Sequence, residues 1–462
     1  MQALLAPLRD LAEYEQIRED ICKGRTPVAL SGCVDSQKLH MIYGLSDGLR
    51  YRVIVTYSDL KARELYEEYR FYDRNVLLYP AKDLIFFQAD IHGNQLTRER
   101  VRALRRIAEG RPLTLVTTFA ALMTPQVQWD PEKDILRVEN GGNLNEAALS
   151  RRLVDMGYEK AAQVESSGQF SVRGGIVDIY DLTEENPYRI ELWGDQVESI
   201  RSFDVLSQRS IEKLESVTVY PAAEFVMDRQ RLEEGVRRIQ EDAKAQEKKL
   251  REAFETEAAH RVSTQVAELK EQLLEFQSKT NLESYIRYFY QDTLTLPELL
   301  QRAEESRQRG GTGLVFFLDE PGRIAEHADA VEMEFRESMG QRAQKGYVLP
   351  GQMDILYGRE QVMARCLKSP VVSLATMDGK NSLLRPVSRV MMSARNVSPY
   401  NNSFEALVKD LIRYRRQGYR VLLLSGSRTR ARRLAQDLRE YELTAVYTED
   451  PFREVQPGEV VT

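Results

Sequence analysis

The chain has 462 residues, with 65 Lys+Arg against 71 Asp+Glu and a formal net charge of −6. At roughly 100–200 residues per domain this is too long for one core and predicts about three or four domains in series. The 42% hydrophobic and 29% charged fractions exclude wholesale disorder, and the acidic balance excludes a nucleic-acid coat along the whole chain.

No run reaches the ~18 apolar residues of a membrane span. The opening MQALLAPLRDLAEYEQI carries acids and lacks a signal-peptide core, so the expected compartment is the cytoplasm. Cys22, Cys33 and Cys366 are odd in number and not spaced for metal, which fits a reducing environment. His40, His92, His260 and His327 are scattered, so no metal centre is expected.

From residue 26 to 122, short apolar runs (PVALSG, RVIVTYS, NVLLYP, LTLVTTFAAL) alternate with the helical patterns QKLHMIYGL and LKARELYEEYRFY. That alternation predicts a parallel sheet with crossover helices. A break at TPQVQWDPEKD precedes a helix, NLNEAALSRRLVDMGY, capped by Asn143 or Asn145. After Gly157 the period becomes two. The segments YEKAAQVES, QFSVRGGIVDIYDL, PYRIELW and QVESIRSFD read as an antiparallel meander, with SVTVY leading out.

Residues 228–300 are rich in charge, with Leu232, Val236, Ile239, Val262, Val266, Leu269, Leu273 and Phe276 at helical spacing. These predict amphipathic helices whose charge is a solvated face. An apolar strand over 314–318 follows. Residues 340–400 hold Pro350, Pro370, Pro386 and Pro399 and are expected to contain a boundary. The remainder alternates helix and strand as a small α/β unit, and PGEVVT reads as the opening of a strand, as if cut from a longer protein.

Four places carry candidate chemistry. The first strand-to-helix loop, Gly32 to Leu39, keeps the first Gly and the Lys38 of a phosphate-binding loop. It has Gln37 in place of the second Gly and Leu39 in place of the hydroxyl that ligates Mg²⁺, so it reads as a decayed, inactive nucleotide loop. Asp319 and Glu320, after Val315-Phe316-Phe317-Leu318, read as a remnant of the strand that holds Mg²⁺ in ATPases, or simply as acids at a helix start.

In the meander, alternation sends Tyr188, Ile190 and Leu192 one way and Arg189, Glu191 and Trp193 the other. Arg173, before a Gly174-Gly175 bulge signal, joins the second face. Trp and Arg dominate protein–protein hot spots, so this face is a docking candidate, balanced by packing of Trp193 under a neighbouring loop. The fourth place, Arg428 to Arg433, reads as a solvated helix face rather than a phosphate contact.

The segment 167–225, SGQFSVRGGIVDIYDLTEENPYRIELWGDQVESIRSFDVLSQRSIEKLESVTVYPAAEF, resembles the UvrB-like module of the Mfd family of bacterial transcription–repair coupling factors. The damage-recognition protein UvrB shares that module. UvrB would carry an intact phosphate loop and an aromatic hairpin after Tyr79-Pro80, and the sequence shows neither.

The resemblance implies a multidomain α/β chain. It comprises a degenerate RecA/helicase-like α/β domain (1–132), an inserted UvrB-like α+β domain (133–222) and a helical return segment completing the first domain (223–358). A linker (359–400) and a small α/β domain (401–462) follow. It further implies a non-catalytic amino-terminal region that recruits UvrA to stalled RNA polymerase for transcription-coupled excision repair, with Arg173, Arg189 and Trp193 as the UvrA-binding residues. RNA polymerase, DNA, ATP and Mg²⁺ would belong to domains absent here, and the family's carboxy-terminal domain would mask this face in the full-length protein. No cofactor is expected for this chain. The competing readings are an ATP-dependent helicase-like enzyme of UvrB type acting on DNA, which would depend on Lys38, and a non-catalytic nucleic-acid-binding array with steeply salt-dependent DNA affinity.

Overall fold

The computed structural model describes residues 2–82, 93–274, 282–306, 313–379, 382–401, 403–450 and 452–462. His92, Phe276 and most of the stretch on which the expected absence of an aromatic hairpin rests (83–92) lie outside the described residues.

In chain order the strands are β1 (Val28–Ser31), β2 (Tyr51–Thr56), β3 (Leu77–Tyr79), β4 (Leu113–Thr118), β5 (Leu136–Glu139), β6 (Glu159–Lys160), β7 (Gln169–Arg173), β8 (Ile176–Ile179) and β9 (Tyr188–Trp193). They continue with β10 (Gln196–Phe203), β11 (Ser210–Leu214), β12 (Ser216–Val219), β13 (Leu314–Asp319), β14 (Val371–Ala375), β15 (Ser388–Met391), β16 (Val421–Leu422), β17 (Ala445–Val446) and β18 (Val460–Val461). They fall into two compact units, Met1–Asp47 with Ala375–Asp378 and Ser388–Thr462, and Gly48–Leu374 with Gly379–Val387.

In the second unit β14, β13, β2, β4 and β3 lie side by side in that order, every pairing parallel. Their sequences are near-continuous apolar runs because both faces of a parallel sheet are covered. The helix Asp59–Tyr69 crosses over from β2, and Ser58 caps it by accepting a hydrogen bond from Lys61 N at 3.3 Å. The chain leaves this sheet after β4 and returns to it at β13, between β2 and β14. Phe316 is in register with Val53 on one side and Val371 on the other.

The excursion builds a second sheet in the order β11-β10-β9-β8-β7-β6, antiparallel except for β6 with β7. Its inner face packs Phe170, Val177, Ile179 and Ile190 against Leu149 and Leu153 of the helix Glu146–Asp155. Of the two cap candidates, Asn145 is the one used, its Oδ1 accepting from Ala148 N at 3.0 Å. SVTVY does not extend the meander; as β12 it pairs antiparallel with β5.

A buried charge cluster sits where this excursion ends. Arg100 is fully buried, donates from Nε to Glu224 Oε1 at 2.9 Å and from Nη1 to the Pro80 carbonyl at 2.7 Å, and stacks 4.1 Å from the Tyr79 ring centre. Lys82 Nζ lies 2.6 Å from the same Glu224 oxygen. Burial alone would push the Glu224 carboxyl up, but the charges of Arg100 and then Lys82 outweigh it and hold it at about 2. Next to it, the Trp129 indole N–H donates to the Glu224 carbonyl at 2.9 Å. The helices Arg229–Glu252 and Thr256–Leu274 then share a core of Val236, Ile239, Ala243, Ala259, Val262 and Val266.

Much of the expected linker 359–400 forms regular elements instead. It forms the helix Arg359–Cys366, then β14 paired with β13, then β15 paired in parallel with β1. Pro370 marks a strand beginning: it immediately precedes β14, where its missing N–H is not needed, and its carbonyl accepts from Phe316 N at 3.0 Å.

In the first unit β1 and β15 accompany the helices Gln2–Arg9, Ala12–Cys22 and Asp35–Leu45. The carboxy-terminal part forms a parallel sheet in the order β16-β18-β17 with the helices Phe404–Arg416 and Arg428–Arg439, on a core of Val408, Leu411, Ala435, Leu438, Ala445 and Val460. Among the described residues no helix is long and apolar enough to cross a membrane.

Candidate functional site

The outer face of the meander gathers Arg173, Arg189 and Trp193. In β9, Ile190 is buried in the core with Tyr188 and Leu192 packed against it, so Arg189, Glu191 and Trp193 stand on the opposite side. Trp193 is 80% exposed. It ends β9 opposite Gln196, at a two-residue turn whose Gly194 has φ +63°.

Arg173 ends β7 opposite Ile176. Gly174 and Gly175, with φ +58° and +82°, make the tight hairpin turn between them rather than a bulge. Two consecutive positive φ values are the geometry that matches strand twist, and a Cβ on Gly175 would stand 2.9 Å from the Leu192 carbonyl oxygen.

Arg189 is not the open contact that alternation predicts: its side chain is 16% exposed. It grips the carboxylate of Asp178, Nε to Oδ1 at 2.7 Å and Nη2 to Oδ2 at 2.8 Å, and donates from Nη2 to Gln208 Oε1 at 2.8 Å. Its guanidinium lies 4.2 Å from the ring centre of the buried Phe203. Arg173, 47% exposed, donates from Nη2 to Asp178 Oδ2 at 3.0 Å. The hydrogen bonds to Asp178 hold the Arg189 pKa above the ordinary arginine value, against the opposing effect of burial. Beside this trio Glu191 accepts from Ser199 Oγ at 2.6 Å and pairs with Arg201; first the Ser199 bond, opposed by burial, and then Arg201 hold its carboxyl below the usual range.

Asp178 is the residue sequence reasoning missed. It is fully buried, although strand alternation puts it on the outer face. The available signal was an acid inside the apolar strand Ile176-Val177-Asp178-Ile179, in direct register with Arg189.

The other candidates lie elsewhere. Gly32 has φ +81°, and a Cβ there would overlap the Met392 carbonyl oxygen. Lys38 and Leu39 are buried in the first turns of the helix Asp35–Leu45, Gln37 is half-buried beside them, and Lys38 Nζ lies 3.1 Å from Asp35 Oδ1. In the second unit Asp319, buried at the end of β13, accepts from Thr56 Oγ1 at 3.0 Å. Glu320 takes a left-handed conformation, φ +56°, just before the helix Pro321–Gln344. In the arginine run Arg428 and Arg432 pair with Glu449 at 3.5 and 2.9 Å, a surface ion-pair arrangement.

Residues 136–225 match the UvrB interaction domain. Arg173, Asp178, Arg189 and Trp193 of the outer face all fall inside this domain. The wider chain is similar to the transcription-repair-coupling factor of Bacillus subtilis, 29% identical over 387 residues, which cover 83% of this chain and 31% of that protein. It is similar to that of Staphylococcus epidermidis, 25% identical over 393 residues, covering 84% of this chain and 32% of that protein. That of Staphylococcus aureus is 26% identical over 377 residues, 80% and 30% of the two chains. The resemblance to the coupling factors therefore extends well beyond the UvrB interaction domain, and the chain spans about a third of the length of the curated relatives it matches.

Proposed function

We propose that this chain is the non-catalytic amino-terminal recruitment region of a transcription–repair coupling factor, binding UvrA through the outer face of its UvrB interaction domain. The observation that carries the reading is Trp193. A large apolar side chain held almost fully in solvent, on the same sheet face as an ordered pair of arginines, is the composition of a protein-docking hot spot. The relatives reported above are coupling factors, which favours this reading over a helicase-like enzyme of UvrB type.

In this reading RNA polymerase, DNA, ATP and Mg²⁺ engage other parts of a longer factor, whose carboxy-terminal domain covers the same face at rest. The degenerate RecA-like part of this chain takes no cofactor: the Lys38 ammonium is buried beside Asp35, and the apolar Leu39 stands where a metal-ligating hydroxyl would be needed. The chain works in the cytoplasm, where the repair machinery is.

Titration calorimetry of the chain with UvrA tests the proposal. Saturable binding that falls at least about tenfold in Trp193→Ala is expected. Absence of binding by the folded chain overturns the reading, as does an unchanged affinity in Trp193→Ala. A nucleotide-dependent signal lost in Lys38→Ala would overturn the inactive-loop assignment.

A further inference from the structure

Asp178 occupies the centre of β8, in register with Arg189 on β9 and Ser171 on β7. Its carboxylate has no exposure and so cannot touch a docking partner. Both of its oxygens are nevertheless engaged by the two arginines of the outer face, through three N–H donors at 2.7, 2.8 and 3.0 Å. Arg189 is confined further by Phe203 on one side and Gln208 on another. Gln208 holds its place in a left-handed conformation, φ +58°, within a turn where Asp204 accepts from both the backbone N–H and the hydroxyl of Ser207.

We infer that Asp178 is a positioning residue for docking: it holds the guanidinium groups of Arg173 and Arg189 in a single pose on the sheet face that also carries Trp193, so that a partner meets them already ordered. The inference rests on the reading of this face as the UvrA-binding surface and deepens it. A free arginine side chain samples many rotamers, and a partner that must freeze it loses affinity. Here one internal carboxylate does the freezing in advance. Two cations on one anion also leave the cluster a net positive charge to present outward. The planar fork matters as much as the charge, because a lysine cannot reproduce the paired geometry.

The test is calorimetric titration of the full chain with UvrA for the unmodified protein, Asp178→Asn, Arg173→Lys, Arg173→Ala, the Asp178→Asn/Arg173→Ala double variant and Trp193→Ala. Asn keeps the size and one acceptor oxygen of Asp178 while removing the charge and the second acceptor. We expect Asp178→Asn to weaken UvrA binding about tenfold, and Arg173→Ala by a similar factor. The double variant should bind no worse than about the weaker single variant, since both remove the same ordered pair. A merely structural Asp178 would instead give additive losses in affinity. Arg173 is half-exposed, so Arg173→Lys tests the pose in a protein that folds even where Asp178→Asn does not; it should lose binding nearly as Arg173→Ala does.

Unmodified affinity in Asp178→Asn or Arg173→Lys, alongside lost binding in Trp193→Ala, overturns the inference and leaves the docking reading standing. No binding by the unmodified chain overturns the docking reading and the inference with it.

Discussion

Removing the Arg189 side chain should damage the fold of the UvrB interaction domain before it damages any docking. Arg189→Ala deletes two short charge-assisted hydrogen bonds, at 2.7 and 2.8 Å, and a guanidinium stacked 4.2 Å from the Phe203 ring. It leaves the fully buried Asp178 leaning on the half-exposed Arg173. Breaking a buried ion pair from one side costs about 3–5 kcal/mol, because the surviving charge stays desolvated. Since Arg173 remains, the lower end applies, about 3 kcal/mol. Hydrogen exchange gives the local readout: amides of β8 and β9 that exchange through opening of this sheet should do so roughly a hundredfold faster in Arg189→Ala. Adding Asp178→Asn to Arg189→Ala should restore much of that protection by removing the stranded charge. Trp193→Ala should leave the same amides unchanged, since its side chain buries little. Acceleration of less than about threefold in Arg189→Ala would refute the reasoning, and the Arg189–Asp178 pair would then carry no weight in the stability of this sheet.

Gly32→Ala should be strongly destabilising, by more than about 2 kcal/mol in urea unfolding, because φ +81° and the Met392 carbonyl both refuse a Cβ; a loss below about 0.5 kcal/mol would show that the loop relaxes freely. Glu224 makes a pH prediction. Its folded pKa is depressed to about 2, so its stabilisation is present above the ordinary glutamate range and is lost as pH falls through that range toward 2. The stability gap between the unmodified chain and Glu224→Gln should shrink by about 3 kcal/mol between pH 6 and pH 2, and a gap independent of pH would contradict the assignment. Arg428→Ala and Arg433→Ala should each change stability by less than about 0.5 kcal/mol, as exposed ion pairs do, and a larger loss would mean the run has a structural role.

Where local chemistry decided the structure, the sequence was readable. Period two separated Ile190 from Arg189 and Trp193, and an Asx cap began the helix at Asn145. The alternation of apolar runs with helical patterns announced the parallel sheet that holds β2, β3 and β4. What was hidden is set by contacts between distant residues. Alternation gives the direction of Arg189 but not its depth, which comes from Phe203 and Gln208 on the following strand and turn. The same covering conceals Asp178. Pro370 and Pro386 signal a break in any local reading, yet the partner strands β13 and β1 turn the residues after them into paired strands. The two glycines after Arg173 announced a change of direction without saying whether it was a bulge or a turn; the register Arg173 with Ile176 settles it.

The chain has two tryptophans, and the fold places them at opposite extremes of environment. Trp129 is buried with its indole N–H bonded inside the protein, while Trp193 stands in water on the outer face. Intrinsic emission is therefore already a two-colour signal. A soluble collisional quencher should extinguish the red component from Trp193 and spare the blue component from Trp129. Occupation of the face would be seen as shielding of the first, and loosening around the buried charge cluster as exposure of the second, without any dye or added label.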